Sequence, residues 1–259
     1  MAKNISVALS GSGFLFPVHL GALHALDDYG YTVDELIGTS GGSLVAAMVS
    51  GKKYTWPQLQ ELVLETDFSF AMSKDLLTPW RFFHKGGLCS TRPMVKWIGK
   101  HAGQEWPKMK VGFITTDSRT WESVVLRSGS TSMTFAQCAV ASACLPAIYP
   151  PMNGIYQDGG ILENLGEKYL TGKTKVGIRL VEPQKSVTNF GILDNLTGAV
   201  SAMLDKIETL EVHNCPDVLT IPVDVSNYSF LDTDLSLSAK EKLWNLGYNA
   251  VQGSLHLIK

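Results

Sequence analysis

No stretch of this sequence is both long enough and apolar enough to cross a membrane, since a span needs roughly 20 consecutive apolar residues and none approaches that length. An excess of one charge is missing too. Lys and Arg number 22 against 24 Asp and Glu, a net charge of −2, so there is no basic field to hold nucleic acid, and membrane contact has to be mainly apolar. Cysteine is sparse. Cys89, Cys138, Cys144 and Cys215 have neither the close paired spacing of a zinc site nor the density of a disulfide scaffold, and read as buried reduced thiols. The first residues lack the build of a cleaved signal: a short alternating stretch from Ile5 to Leu9 runs into a glycine loop, which suits a first strand. These absences point to a cytoplasmic or peripheral-membrane protein, with export by a route that needs no cleaved signal left open. Repeats, low-complexity tracts and Gly/Ser linkers are absent as well. A single domain over residues 1–259 is the simpler expectation.

What is present is a chain with 45% hydrophobic residues, enough to fill a substantial core. A strand over 5–9 is followed by Ser10-Gly11-Ser12-Gly13 and a helix over 17–29, with Pro17 in its first turn, where a missing N–H costs nothing, and Gly30 ending it. A second strand over 33–38 runs into Thr39-Ser40-Gly41-Gly42 and a helix that Gly51 stops. Repeated β-loop-α units of this kind build a mainly parallel sheet covered by helices, an α/β fold of three layers. Farther on, helices are expected over 56–66, 91–101, 135–142, 193–213 and 238–257, the last with a capping box from Ser238 and Glu241. Strands are expected over 111–116, 123–127, near Tyr156, and over 176–180 and 218–223.

Three glycine loops carry the chemistry. Gly38-Thr39-Ser40-Gly41-Gly42 fits the pattern G-x-S-x-G at a strand-to-helix turn, where small neighbours let the backbone turn sharply and leave the Ser40 hydroxyl exposed. Gly11-Ser12-Gly13 also joins a strand to a helix; it is either a tight turn or a set of backbone N–H groups able to hold an oxyanion. It is a poor dinucleotide loop, because the third glycine of that motif would fall on Phe16, and no Gly-Lys-Ser/Thr follows as a phosphate loop requires. Asp158-Gly159-Gly160 follows the expected strand at Tyr156 and reads as a turn or as a placed carboxylate. No metal site is expected: Asp232-Thr233-Asp234 begins like a calcium loop, but Leu237 and Leu243 stand where its glycine and last glutamate belong.

A serine nucleophile needs a base. Ordinary α/β-hydrolases supply a late histidine and place the serine after several strands, whereas Ser40 follows only two. His213 and His256 fall in expected amphipathic helices, and His19 and His24 lie on the first helix. None sits on a loop suited to catalysis.

Taken in order, these residues resemble the patatin-like phospholipase family. Leu9-Ser10-Gly11-Ser12-Gly13-Phe14 through Gly21-Ala22-Leu23 is similar to that family's oxyanion loop and first helix, Gly38 to Gly42 to its nucleophile motif, and Asp158-Gly159-Gly160 to its Asp-Gly-Gly. Ala141-Ser142-Ala143-Cys144-Leu145-Pro146, then Pro150-Pro151, resembles the segment ahead of the acid, and the helix with Gly247-Tyr248 has a counterpart too. One departure stands out: the family's loop usually continues with Arg and Gly, and here Leu15 and Phe16 follow.

The resemblance implies a lipid acyl-ester hydrolase of the phospholipase A or lysophospholipase type. In it Ser40 attacks the carbonyl, Asp158 takes its proton directly, and Gly11, Ser12 and Gly13 form the oxyanion hole. No cofactor is implied; the partners are a lipid or other acyl-ester substrate and a transient membrane surface. Two rival readings are an acyltransferase sharing the acyl-enzyme and an acyl-binding module without turnover. The irregular aromatic stretch over 67–88, with Phe68, Phe70, Trp80, Phe82 and Phe83, is either core or a lid or apolar rim over the acyl pocket.

Overall fold

The computed structural model describes residues 3–72, 78–181 and 214–258. The chain opens with β1 (Lys3–Leu9), α1 (Pro17–Asp28), β2 (Tyr31–Thr39) and α2 (Gly41–Ser50). Three helices follow, α3 (Trp56–Glu65), α4 (Thr78–Lys85) and α5 (Arg92–His101). Then come β3 (Lys110–Asp117), β4 (Glu122–Leu126), α6 (Phe135–Ala141), β5 (Tyr156–Asp158), β6 (Lys175–Val181), β7 (Leu219–Asp224) and α7 (Leu237–Ser254). The strands form one sheet in the order β4-β3-β2-β1-β6-β7, with β5 paired to β3 off that path. Pairings from β3 through β7 are parallel, and only β4 and β5 run antiparallel to β3. This is the mostly parallel α/β fold that the alternating elements call for.

Both faces of the sheet are buried, and the two-residue period of the strands shows how. Val7 and Leu9 of β1, Leu36 of β2 and Phe113 of β3 join one large apolar cluster with α1, α2 and α7. Their alternates Ala8, Ile37 and Ile114 join a second, smaller cluster with Leu165 and Leu170. A strand buried on both sides reads as a continuous apolar run, as Val7-Ala8-Leu9 does. Each such side chain withdrawn from water contributes about 1.5–3 kcal/mol. Helices α1 and α7 cross closely because Gly21 and Gly247 sit in the contact: a Cβ on either would strike the backbone of the other helix.

Most expected boundaries fall within two residues of those observed, and three differ. The last helix begins earlier than its expected cap, so Ser236 is its N-cap, accepting from the Ala239 N–H at 3.2 Å. No reciprocal acid sits at the third position, and the box from Ser238 and Glu241 does not form. The stretch over 67–88 is not irregular throughout: Phe68–Met72 makes a 3-10 turn and Thr78–Lys85 a short helix. The helix expected over 193–213 lies outside the described residues.

Candidate active site

Sheet geometry brings the two motifs together. Strand β2 ends with Thr39 opposite Ile114 of β3. Strand β5, running the other way, ends with Asp158 opposite Thr115, the next residue of β3. Because β4 occupies the other edge of β3 at these positions, β2 and β5 run toward each other along one lane of the sheet. Ser40 and Asp158 meet where those strands end, and the Ser40 Oγ donates to Asp158 Oδ2 at 2.7 Å.

Ser40 has a backbone that L-residues avoid, with φ 51° and ψ −122°, a conformation that persists only where its surroundings hold it. Small neighbours permit the turn. A Cβ on Gly38 would lie 2.5 Å from the Gly42 carbonyl oxygen, and one on Gly42 would lie 2.6 Å from the Leu9 carbonyl oxygen. Hydrogen bonds then fix it. The Ser40 N–H donates to Ser142 Oγ at 2.9 Å, and the Ser142 hydroxyl donates to the Ile114 carbonyl. The Ser40 carbonyl accepts from the hydroxyl of Ser43.

Asp158 is held as firmly and is 1% exposed. Its carbonyl accepts from Thr116 Oγ1 at 2.9 Å, its N–H donates to the Cys144 carbonyl, and its Oδ1 accepts from the Gly160 N–H at 2.8 Å. Burial pushes the carboxyl up to about 7, against the hydrogen bonds from Ser40 and Gly160, which pull the other way. Desolvation wins because a buried carboxylate has lost its water and no cation offsets it. The result is a far better base at neutral pH than an ordinary aspartate.

The third loop lies against the first. A Cβ on Gly41 would collide with Ser12 Oγ and the Gly13 backbone, so Ser12 and Gly13 sit directly beside the serine turn. Gly11 is a correction to the expected donor set. Its N–H is taken by Asn164, through both Oδ1 and the backbone carbonyl, and the Phe14 N–H is taken by the Phe230 carbonyl. Both bonds anchor the loop, leaving Ser12 and Gly13 between its two fixed points. The loop reaches α1 through a 3-10 turn over Gly13–Leu15 rather than directly. His19 adds a further brace: its Nε2 meets the Ser10 carbonyl at 2.9 Å, and burial lowers its pKa to about 4. The neutral ring therefore carries its proton on Nε2, the atom facing a carbonyl.

No histidine among the described residues is hydrogen-bonded to Ser40 or Asp158. His24 stacks on Trp56, His101 meets the Tyr54 hydroxyl and His256 is exposed. His213 lies outside the described residues. Leu15 and Phe16, the departure from the usual Arg-Gly, are buried, with Phe16 set edge-on to Phe68 at 4.9 Å. Packing supports the loop there.

Some site residues gave no signal in the sequence. Asn164, Thr116, Ser43 and Phe230 belong to no motif and act through hydrogen bonds that only the fold brings about. For Asn164 the one pointer is its place just after the Asp-Gly-Gly loop.

The family model for patatin-like phospholipases matches residues 7–171. The chain belongs to the patatin-like phospholipase family. That segment contains all three loops, and the family is one of lipid acyl hydrolases. Strands β6 and β7 and helix α7, beyond it, complete the same sheet and its cover. No curated protein matches the chain.

Solved structures share the patatin-like fold. VipD from Legionella pneumophila superposes with a TM-score of 0.60 at 13% identity, over 99% of this chain and 67% of VipD. The type III effector protein ExoU gives 0.56 at 13% identity, over 99% of this chain and 53% of ExoU. Full-length ExoU of Pseudomonas aeruginosa in complex with SpcU gives 0.50 at 15% identity, over 98% and 53%. This chain spans about two-thirds of VipD and about half of ExoU.

Proposed function

We propose that this patatin-like chain is a serine hydrolase of lipid acyl esters, of the phospholipase A or lysophospholipase type, working through a Ser40–Asp158 dyad within one domain over residues 1–259. The observation that carries the reading is the 2.7 Å hydrogen bond from Ser40 Oγ to Asp158 Oδ2, a distance suited to direct proton transfer. As Ser40 Oγ attacks the ester carbonyl carbon, its proton passes to Asp158. The carbonyl oxygen becomes an oxyanion beside the Ser12 and Gly13 N–H groups and the N-terminal end of α2, whose dipole favours negative charge there. Collapse of the tetrahedral intermediate expels the alcohol, which takes the proton from Asp158, and leaves an acyl-Ser40 ester. Water, deprotonated by Asp158, then attacks that ester; collapse frees the fatty acid and returns the proton to Ser40.

A lipid surface is the proposed partner, met through α4. Among the described residues this short helix exposes Trp80, Phe82 and Phe83, the last 81% exposed, while Phe68 and Ala71 just before it are buried. The aromatic stretch thus divides into core and rim. The exit of α4 is pinned near the acid: the Leu88 and Cys89 N–H groups donate to the Ala147 and Ile148 carbonyls, ahead of β5. No helix among the described residues is long and apolar enough to cross a membrane, so the proposed contact is peripheral.

The test is product analysis of a panel of diacyl and lysophospholipids incubated with wild-type protein and Ser40→Ala. Free fatty acid released only by the wild type supports the reading. Transfer of the acyl group to an added alcohol in preference to water would assign an acyltransferase instead.

A further inference from the structure

The balanced net charge of −2 hides an uneven distribution. From Leu76 to Gln104 the sequence holds no Asp or Glu, yet it holds Arg81, Lys85, Arg92, Lys96 and Lys100. That run covers α4, with its exposed Trp80, Phe82 and Phe83, and then α5. The fold sorts the α5 residues by face. Met94, Ile98 and His101 are buried, while Arg92, Lys96 and Lys100 are exposed. Lying at i, i+4 and i+8, these three cations form one stripe, about 12 Å long at the rise of an α-helix. Lys53 continues it, its Nζ donating to the Lys100 carbonyl at 3.0 Å. Burial, and after it the charges of Lys100 and Lys53, hold His101 below the ordinary histidine range, as a locally positive surface does.

Stability does not explain the stripe. Like charges four apart on a helix repel each other and weaken it, and among the described residues no carboxylate pairs with Arg92, Lys96 or Lys100. Cations left unneutralised in one place suit an anionic partner. Their neighbours decide which one. Lys85, at the end of α4, lies over the Trp80 ring at 5.4 Å, and the short link from α4 to α5 is held by the Leu88 and Cys89 bonds to Ala147 and Ile148. Exposed rings followed directly by unpaired cations match a bilayer, whose apolar boundary takes the rings and whose anionic head groups meet the cations.

We propose that α5 is an electrostatic docking face for anionic phospholipid: the Arg92, Lys96 and Lys100 stripe meets the head-group charge while α4 enters the bilayer, so that the protein selects anionic over zwitterionic membranes. The inference rests on the reading of α4 as the lipid-facing helix and is independent of the dyad. Each cation brought to an anionic surface strengthens binding about fivefold, so loss of two weakens it by roughly 25-fold, and added salt screens the effect.

The test measures cosedimentation of the Ser40→Ala protein, so that bound lipid is not consumed, with vesicles of phosphatidylcholine alone or mixed with phosphatidylglycerol. Binding to the mixed vesicles is expected to be tighter by about tenfold or more, and added salt to erase the difference. Adding Lys96→Gln with Lys100→Gln should weaken binding to mixed vesicles by about tenfold or more and change binding to phosphatidylcholine little. The melting temperature should hold or rise, since a repulsion is relieved. Lys96→Arg with Lys100→Arg, which keeps the charge, should bind as the parent does, and so should Lys173→Gln with Lys242→Gln, which removes two exposed cations outside the stripe. With Ser40 present, hydrolysis of a short soluble ester should be the same with and without the Lys96 and Lys100 substitutions. No hydrolysis of any ester, alongside charge-dependent binding, would fell the hydrolase reading and leave the docking face standing. Equal binding to both kinds of vesicle, equal losses in the two pairs of Gln variants, or salt-sensitive binding to a nucleic-acid duplex but not to mixed vesicles overturns it.

Discussion

The Gly11 N–H is held by two oxygens of one residue, Asn164 Oδ1 and the Asn164 carbonyl, each at 3.1 Å. Asn164 lies six residues beyond Asp158, so the segment carrying the acid also fixes the loop proposed to hold the oxyanion. Asn164→Ala is expected to remove the side-chain bond, leave the Gly11 N–H with only its carbonyl partner, and lower stability by about 0.5–1.5 kcal/mol. It should also loosen Ser12 and Gly13. The expected signature is a kcat reduced about ten- to a hundredfold with KM little changed, because the lost interaction acts in the transition state. A rise in KM at constant kcat would place Asn164 in substrate binding instead.

The proposed dyad ties activity to the charge of Asp158. Its carboxyl is raised from 3.8 to about 7, and in that proposal the basic form is the one that accepts the Ser40 proton. The kcat/KM profile should therefore rise with pH and level off above about 7. Stability should move the other way. An acid whose folded pKa lies above its unfolded value binds more protons folded than unfolded, so the folded state loses stability as pH rises from about 4 to about 7, and that loss is complete above it. Asp158→Asn should abolish turnover and, in thermal melts, gain on the wild type across that window. A wild type and variant with parallel melting curves from pH 4 to 8 would show that the carboxylate is not desolvated.

Helix α4 is proposed to meet the lipid surface, apart from the residues proposed for bond cleavage. Phe82 and Phe83 are exposed and pack edge-on against each other at 5.5 Å. Phe82→Ser with Phe83→Ser should reduce cosedimentation with phospholipid vesicles several-fold and lower activity on them, while hydrolysis of a short soluble ester and the melting temperature stay as they were. Equal losses on both substrates with a lower melting temperature would show that these rings support the fold rather than meet lipid.

The three loops and nearly all the elements around them could be read from the chain because each is a local matter. A period of two or 3.6, Pro17 at a first helical turn and small residues around Ser40 are short-range instructions. The relationship between the loops is not local. That β2 and β5 run head to head depends on which edge of β3 each one takes, and β5 is only three residues long, too short for a periodic pattern. The loss of Gly11 as a donor follows from Asn164, whose side chain reaches it only after the sheet is assembled. The aromatic stretch over 67–88 defeated periodicity for a related reason: it holds two short pieces with opposite burial. Ser236 displaced the expected cap because helix α7 starts at Leu237, where the serine two residues before the expected cap already satisfies an N–H.

The account stands on Ser40 as the nucleophile, and a fluorophosphonate probe tests that most directly. Intact-mass spectrometry should show one adduct per chain, and peptide mapping should place it on Ser40. Labelling should disappear in Ser40→Ala and fall sharply in Asp158→Asn, with both variants retaining the wild-type circular dichroism spectrum. An adduct on Ser12 or Ser142, or labelling and hydrolysis that survive in folded Ser40→Ala, would contradict the account.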